Sequence, residues 1–262
     1  MVSTAALVFM VISAAIVFLV PVGLVWAMRR RGAIALRPVA VGAAVFIVSQ
    51  VLTRIPLLNY LSEQPWFPAA GSVAGVLLLA FSAGLFEETG RLIGFKYFLR
   101  KHRRWNDGVA FGLGHGGIEA ILLVGTTYIM NILMSLAING GTFDVAFGQN
   151  LGPQAAEIKE LLTGTPPVHF LLGGLERLFT LAIHVALSLV VLYGVVRGQA
   201  RFWLLAILLH GVVNLSVFFI VQPGYGIWLA EGYLLLCAVA ALVFIRRSRD
   251  SFFGKEELPY PR

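Results

Sequence analysis

The segment FSAGLFEETGR, residues Phe81 to Arg91, is the most informative stretch of this chain. It places two adjacent carboxylates, Glu87 and Glu88, and the guanidinium of Arg91 inside a segment that otherwise looks buried in a bilayer. Ionisable groups at that depth are costly, and they commonly face the inside of a helix bundle where they serve a function. We therefore expect a functional site here, with its other walls supplied by the remaining apolar segments.

The composition places the chain among integral membrane proteins. Of its 262 residues, 58% are hydrophobic and 13% are charged, and the mean hydropathy is +0.85, outside the range of ordinary soluble domains. The net charge of +7 lies in short basic runs between apolar segments, as the positive-inside rule expects. We attribute the basic balance to membrane topology and expect no nucleic-acid partner.

Seven apolar segments are each long enough to cross a hydrocarbon core of roughly 30 Å, which takes about 20 helical residues. The chain is therefore predicted to be all-α, a polytopic membrane protein with about seven transmembrane helices. We expect a single transmembrane helical domain at 1–247 and a disordered cytoplasmic tail at 248–262, with no internal repeat. The predicted spans are 4–28, 38–60, 71–98, 107–138, 168–196, 202–222 and 226–245.

Basic residues predict the orientation of these spans. Positive runs follow the first, third and seventh spans and flank the link from the fifth to the sixth, whereas the opposite connections carry only scattered charge, such as Arg54, Glu63 and Lys159. The positive-inside rule then puts the amino terminus outside and the carboxy terminus in the cytoplasm. We expect an integral protein of a prokaryotic plasma membrane, in contact with the lipid bilayer.

The longest outer connection, 139–167, is rich in Gly and Pro and contains one short helical candidate, Ala155 to Leu162. A lid or an interfacial helix is one interpretation. A plain surface loop is the expected one. Whether this connection gates access to a site is left open.

Four of the predicted spans carry polar groups that lipid-facing helices do not favour. Several lie four residues apart, a spacing that puts both members of a pair on one helix face. Their side chains should therefore face the bundle interior, although pairing with other helices explains Glu176 and Arg177 best. By span, these groups are Glu87, Glu88 and Arg91; His115 and Glu119; Glu176, Arg177 and His184; and His210 and Asn214.

The depth of these groups can be calculated from a helical rise of about 1.5 Å per residue, counted from the cytoplasmic end of each span. Glu87 and Glu88 lie roughly 15 to 17 Å deep, His115 roughly 12 Å and His210 roughly 12 to 14 Å. His184 falls nearer roughly 18 to 20 Å, and either joins this level or sits just above it. Three helices thus bring carboxylates and imidazoles together.

Two mechanisms suit such a set of side chains. Imidazoles and carboxylates from several helices are the ligands of a Zn²⁺ site, in which the ion activates a water molecule and a second carboxylate takes its proton. Without a metal, a Glu acts as base on free water while His210 and Asn214 donate hydrogen bonds to the developing oxyanion. Either mechanism hydrolyses an amide or an ester.

The motifs resemble a known group of enzymes. EExxR at Glu87 to Arg91, FxxxH at Phe111 to His115 and HxxxN at His210 to Asn214 follow the motif order of the CAAX-protease and bacteriocin-processing superfamily of intramembrane proteases. The fuller context, FEETGR, GHGGIEA, ERLFTLAIH and HGVVN, is most similar to the YhfC family of intramembrane metalloproteases. The resemblance covers residues 81–214, and it departs from the superfamily's usual EExxxR, which is one residue longer.

The resemblance implies an intramembrane protease that cleaves peptide or membrane-protein substrates. It implies catalytic roles for Glu87, Glu88, Arg91 and Asn214, and a divalent metal, Zn²⁺, bound by His115, His184 and His210. Which glutamate faces the water and which holds Arg91 is left open, as is the role of Glu119. The alternatives are a transporter that uses the same residues as a proton or metal relay, and a relative that binds membrane partners without chemistry.

Overall fold

The computed structural model describes residues 1–220 and 226–253, and within these ranges every regular element is helical. Seven helices are long and apolar enough to cross a membrane, which confirms the predicted all-α class and number of spans. The last helix runs past its predicted end at 245, and residues 221 and 222 of the sixth predicted span lie outside the described residues. In chain order the helices are α1 Thr4–Arg30, α2 Leu36–Ser62, α3 Val73–Phe98, α4 Trp105–Asn139, the shorter α5 Gln154–Gly164, α6 Pro167–Arg197, α7 Arg201–Ile220 and α8 Gly226–Phe252.

The chain divides into two compact units. One contains Met1–Val20 and Ala120–Leu178, and the other contains Pro21–Glu119 and the chain from Phe179 onward. The division falls within helices α1, α4 and α6, so the predicted single domain at 1–247 stays a prediction. The start of the predicted tail, 248–253, is helical, contrary to the expected disorder. The rest of the tail, 254–262, lies outside the described residues.

In the first unit, the connection between α4 and α6 is largely helical. The predicted helix at Ala155 to Leu162 is present within α5, and a short π-helical segment, Asp144–Gly148, precedes it. Phe143 and Leu162 are almost fully buried in an apolar core with Met10, Tyr128 and Phe170. The expected plain surface loop is therefore wrong, because apolar side chains of this connection are removed from solvent.

Hydrogen bonds reinforce this first core. The hydroxyls of Ser13 and Tyr128 both donate to the carbonyl of Phe170, at 2.7 and 2.5 Å. Glu176 and Arg177 form an ion pair with each other. The predicted pairing of these two residues with other helices stays a prediction.

In the second unit, glycines bring pairs of helices into close contact. A Cβ at Gly112 of α4 would lie 2.5 Å from Cα of Val185 in α6, and one at Gly84 of α3 would lie 2.7 Å from the carbonyl oxygen of Ile207 in α7. Gly114 of α4 packs against the backbone of Val39 in α2 in the same way. Small residues permit such close approach of membrane helices. The glycines around His115 thus serve helix packing.

One charge expected on the outer side of the membrane lies within a span instead. Arg54 belongs to α2, in a π-helical segment, Ile47–Arg54, and is half-buried. Its guanidinium donates to the Ser82 hydroxyl at 3.0 Å and to the carbonyl of Leu79 at 2.6 Å. The assignment of Arg54 to a connection is therefore wrong: its charge is tolerated inside a span because residues of α3 satisfy its donors.

Candidate metal centre

Helix α3 carries the three charged groups of FSAGLFEETGR, and all three are buried. Because residues three and four apart lie on one helix face, Arg91 reaches both carboxylates: its Nη2 lies 3.4 Å from Oε2 of Glu87, and its Nε lies 3.4 Å from Oε2 of Glu88. The open question about the two glutamates thus has a structural answer: both of them contact Arg91.

Glu87 lies at the centre of the polar group. Its Oε2 is 2.8 Å from Nε2 of His115, and its Oε1 accepts a hydrogen bond of 2.5 Å from the Gln50 amide. Nδ1 of His184 and Nε2 of His210 each lie 3.9 Å from its carboxylate. Side chains from α2, α4, α6 and α7 therefore surround this one carboxylate of α3.

Glu88 has a different imidazole as its partner. Its Oε1 lies 2.7 Å from Nδ1 of His210, and its Oε2 faces Arg91. Both Glu88 and His210 are buried, with 0% and 3% of their surface exposed. The two adjacent glutamates thus face two different helices: Glu87 contacts α4, and Glu88 contacts α7.

Arg91 also determines the tautomer of His184. Its Nη1 donates to the His184 carbonyl and to the Ser188 hydroxyl, both at 3.0 Å, and its Nη2 lies 2.7 Å from His184 Nδ1. A guanidinium has donors only, so Nδ1 of His184 must accept. The ring proton then sits on Nε2, which lies 2.6 Å from Oε2 of Glu119.

Four side chains of this cluster can bind one metal ion. Glu87, His115, Glu119 and His184 each offer one ligand atom, and these atoms all lie within 4.8 Å of one another. Two imidazole nitrogens and two carboxylate oxygens form a donor set suited to Zn²⁺. Nδ1 of His115 is buried and has no hydrogen-bond partner in the part of the chain that the structure describes. The residues present therefore fit a metal ion.

Most of the predicted site residues lie together, and Asn214 stands apart. Glu87, Glu88, Arg91, His115, His184 and His210 form one buried cluster. His210 belongs to that cluster but not to the group of four potential metal ligands. Asn214 is half-buried one turn beyond His210 on α7, and its side chain makes no hydrogen bond with any residue that the structure describes.

Two members of the cluster were not assigned a role from the sequence. Glu119 lies four residues after His115, and this spacing was a usable signal, although its role was left open. Gln50 had no motif, and its only signal was a polar side chain in an apolar span, four residues before Arg54. In the structure Gln50 connects Arg54 to Glu87. Arg54 donates to the amide oxygen of Gln50 at 3.0 Å, and the amide nitrogen of Gln50 donates to Glu87.

Two of these side chains lie in or beside distorted helical segments. Gln50 lies within the π-helical segment Ile47–Arg54, and Glu119 is the last α-helical residue before a second one, Ala120–Gly125. Such π-helical distortions inside α-helices are frequent at functional sites. The location of the two segments agrees with a functional role for the cluster.

The fold and this cluster define a class of protein: an integral membrane protein of seven apolar helices with a buried group of His and Glu that can hold a metal ion. Comparison with known sequences identifies the family. The chain belongs to the YhfC intramembrane metalloprotease family, whose profile matches residues 16–234. The resemblance to YhfC proteins is thereby confirmed, while the relation to the CAAX-protease superfamily stays a prediction.

A relative from Bacillus subtilis (strain 168), described as the uncharacterized membrane protein YhfC, is 38% identical over 251 residues. The match covers 92% of this chain and 95% of the relative. No solved structure shows a significant match. The bacterial membrane relative and the apolar helices confirm the predicted localisation as an integral protein of the plasma membrane.

Proposed function

We propose that this protein is an intramembrane metalloprotease that hydrolyses peptide bonds of membrane-associated substrates. The observation that carries the proposal is the convergence of Glu87, His115, Glu119 and His184 in a buried position on three apolar helices. Ionisable groups in such helices are costly to bury, so a group of four within reach of one ion is best explained by function. Membership of a metalloprotease family supports the same reaction.

In this proposal Glu87, His115, Glu119 and His184 hold a divalent metal, Zn²⁺. When bound, the ion supplies a Lewis acid that polarises the scissile carbonyl and acidifies water. The set keeps two of the ligands predicted from the sequence, His115 and His184, and replaces the third, His210, with two carboxylates. The reason is geometric: the ligand atoms of Glu87, His115, Glu119 and His184 all lie within 4.8 Å of one another, and this group does not include His210.

Glu88 and His210 are then the acid–base pair. The Glu88 carboxylate orients the imidazole through Nδ1 at 2.7 Å, so that Nε2 is left to hold a proton for the leaving amine or to donate to an oxyanion. Arg91 compensates the buried carboxylates and orients His184. We therefore assign Arg91 a positioning role, and we assign Asn214, one turn from His210, to hydrogen bonding with substrate.

The test uses purified protein in lipid nanodiscs, with metal content measured by plasma mass spectrometry and cleavage measured on fluorogenic transmembrane peptides. We expect bound zinc, loss of cleavage on chelation, and recovery when zinc is restored. Glu87→Gln and His115→Ala should abolish cleavage, whereas His169→Ala, a histidine outside the cluster, should retain it.

Unchanged cleavage in both cluster variants would contradict the proposal. A transporter predicts a different result in proteoliposomes, namely metal uptake or dissipation of a pH gradient without any peptide cleavage. If the protein instead binds membrane partners and catalyses no reaction, neither cleavage nor transport is expected.

A further inference from the structure

A cavity of about 370 Å³ lies apart from the metal centre, where α3 and α6 end and α7 begins. Because these three helices are spans, their ends place the cavity near a boundary of the membrane. Its lining comes from α3, from the connection between α3 and α4, and from both sides of the turn between α6 and α7. The residues that the argument uses are Leu92, Lys96, Arg103, Val191, Val195 and Trp203.

The charged side chains at this cavity are both cationic. They are Lys96 and Arg103, and none of the described lining residues is acidic. The guanidinium of Arg103 is held in place because it donates to the carbonyls of Phe95 and Lys96, at 3.2 to 3.3 Å. A positioned guanidinium beside a lysine favours an anionic ligand, above all a phosphate.

Other polar groups at the cavity are also donors. The indole nitrogen of Trp203 is buried and lacks a hydrogen-bond partner among residues 1–220 and 226–253. Trp203 stands in the first turn of α7, whose N-terminus has no side-chain cap at Ala200. Uncapped amides and the positive end of a helix dipole attract anions. At the facing end of α6, the amide of Gln199 closes the turn by donating to the carbonyl of Gly194, at 2.9 Å.

The opposite side of the cavity is apolar. Leu92 lies one helical turn before Lys96, and Val191 and Val195 lie in the last two turns of α6, so the apolar lining extends from the basic rim toward the interior of the spans. A cationic rim above an apolar wall matches the amphipathic chemistry of a phospholipid. Basic pockets between transmembrane helices are known binding sites for anionic headgroups.

We propose that this cavity binds an anionic phospholipid. The phosphate contacts Lys96, Arg103 and the Trp203 indole, and the first methylene groups of the acyl chains pack along Leu92 and Val195. The lipid would connect the ends of α3 and α6. A hydrogen bond between Arg91 and Ser188 connects the same two helices about one turn away from the cavity. This inference does not depend on the proteolytic reaction, because it is tested by lipid binding.

The experiment is native mass spectrometry of the full chain released from nanodiscs that contain phosphatidylglycerol and phosphatidylcholine. We expect the wild type to retain phosphatidylglycerol selectively. Lys96→Gln with Arg103→Gln should weaken retention roughly 30-fold, since each charge contributes about 5-fold near a membrane surface. The matched control is Arg100→Gln with Lys101→Gln, which removes two charges from the same basic run but not from the cavity.

Two single substitutions keep the test decisive if loss of Arg103 disturbs the fold. Lys96 is exposed, so Lys96→Gln alone removes a cavity charge with little risk to folding. Trp203→Phe keeps the ring, removes the indole donor and should weaken retention about 5-fold. Equal loss in the cavity and control variants, or no loss in any cavity variant, would overturn the proposal. Displacement of the lipid by millimolar inorganic phosphate would identify a free-phosphate site instead and overturn the lipid assignment.

Discussion

Nδ1 of His184 lies 2.7 Å from a terminal nitrogen of Arg91, and both side chains are buried between α3 and α6. Since the guanidinium can only donate, this contact fixes the ring so that Nε2 faces Glu119. Outer groups of this kind orient metal ligands and tune their affinity. Arg91 therefore holds the His184 ring in the cluster, with Nε2 as the nitrogen that a metal would bind after losing its proton.

Arg91→Lys should weaken zinc binding by about 10- to 100-fold, because a lysine keeps the charge but loses the fork that bonds His184, Ser188 and the carboxylates together. Competition against a chromophoric chelator measures the affinity. Ser188→Ala, which removes one neutral partner of Arg91, is the control and should have a much smaller effect. Wild-type affinity in Arg91→Lys would show that this contact does not prepare the ligand.

Substitutions of the two adjacent glutamates should distinguish an effect on metal binding from an effect on catalysis. Glu87→Gln should lose zinc, because Glu87 is one of the four potential ligands. Glu88→Gln should retain zinc but slow cleavage by about 10² to 10⁴, the range for loss of an acid–base group. Metal content and kcat measured on the same preparations check both results. Zinc-free Glu88→Gln protein would instead assign Glu88 to the ligand set.

His210→Gln distinguishes the proposed ligand set from the one predicted by sequence. Because His210 lies outside the group of four potential ligands, we expect this variant to keep its zinc and lose its proteolytic activity. His184→Gln, altered at the other candidate imidazole, should lose both. If zinc disappears from His210→Gln, the sequence-based assignment of His115, His184 and His210 is the correct one.

Gln50→Leu should destabilise the protein by about 1 to 3 kcal/mol, because it leaves an oxygen of Glu87 and a donor of Arg54 without their partner in a buried setting. Thermal unfolding in detergent measures the loss. Gln64→Leu, an exchange of the same type in the connection that follows α2, should change stability by less than about 0.5 kcal/mol. Equal stability of Gln50→Leu and wild type would exclude a structural contribution from this hydrogen bond.

Gly84→Ala tests the close contact between α3 and α7. Its new methyl group would lie 2.7 Å from the Ile207 carbonyl oxygen and 3.2 Å from Cβ of His210. We expect a loss of about 1 to 3 kcal/mol from overpacking, together with slower cleavage as His210 moves from Glu88. Gly23→Ala is the control, since a methyl group there meets no atom within 4 Å. A neutral Gly84→Ala would show that the two helices can separate without cost.

Local hydropathy was sufficient to predict the spans, and helical spacing was sufficient to put each pair of polar residues on one face. Both properties depend only on neighbours along the chain: burial of about 20 apolar residues and a period of 3.6 residues. The shared depth of Glu87, His115 and His210 followed from the same arithmetic. Arg54 was misassigned because charge was used to mark a connection, although hydropathy had already placed that residue within a span.

The sequence by itself determined that Glu87, Glu88, His115, His184 and His210 lie within apolar helices, because that depends on segment length and composition. Only the tertiary structure decided which of them meet: His115 contacts Glu87, His210 contacts Glu88, and Glu119 and Gln50 enter the cluster. Periodicity specifies the face of a helix but not its partner. The partners depend on close contacts between distant segments, such as Gly84 with Ile207 and Gly112 with Val185.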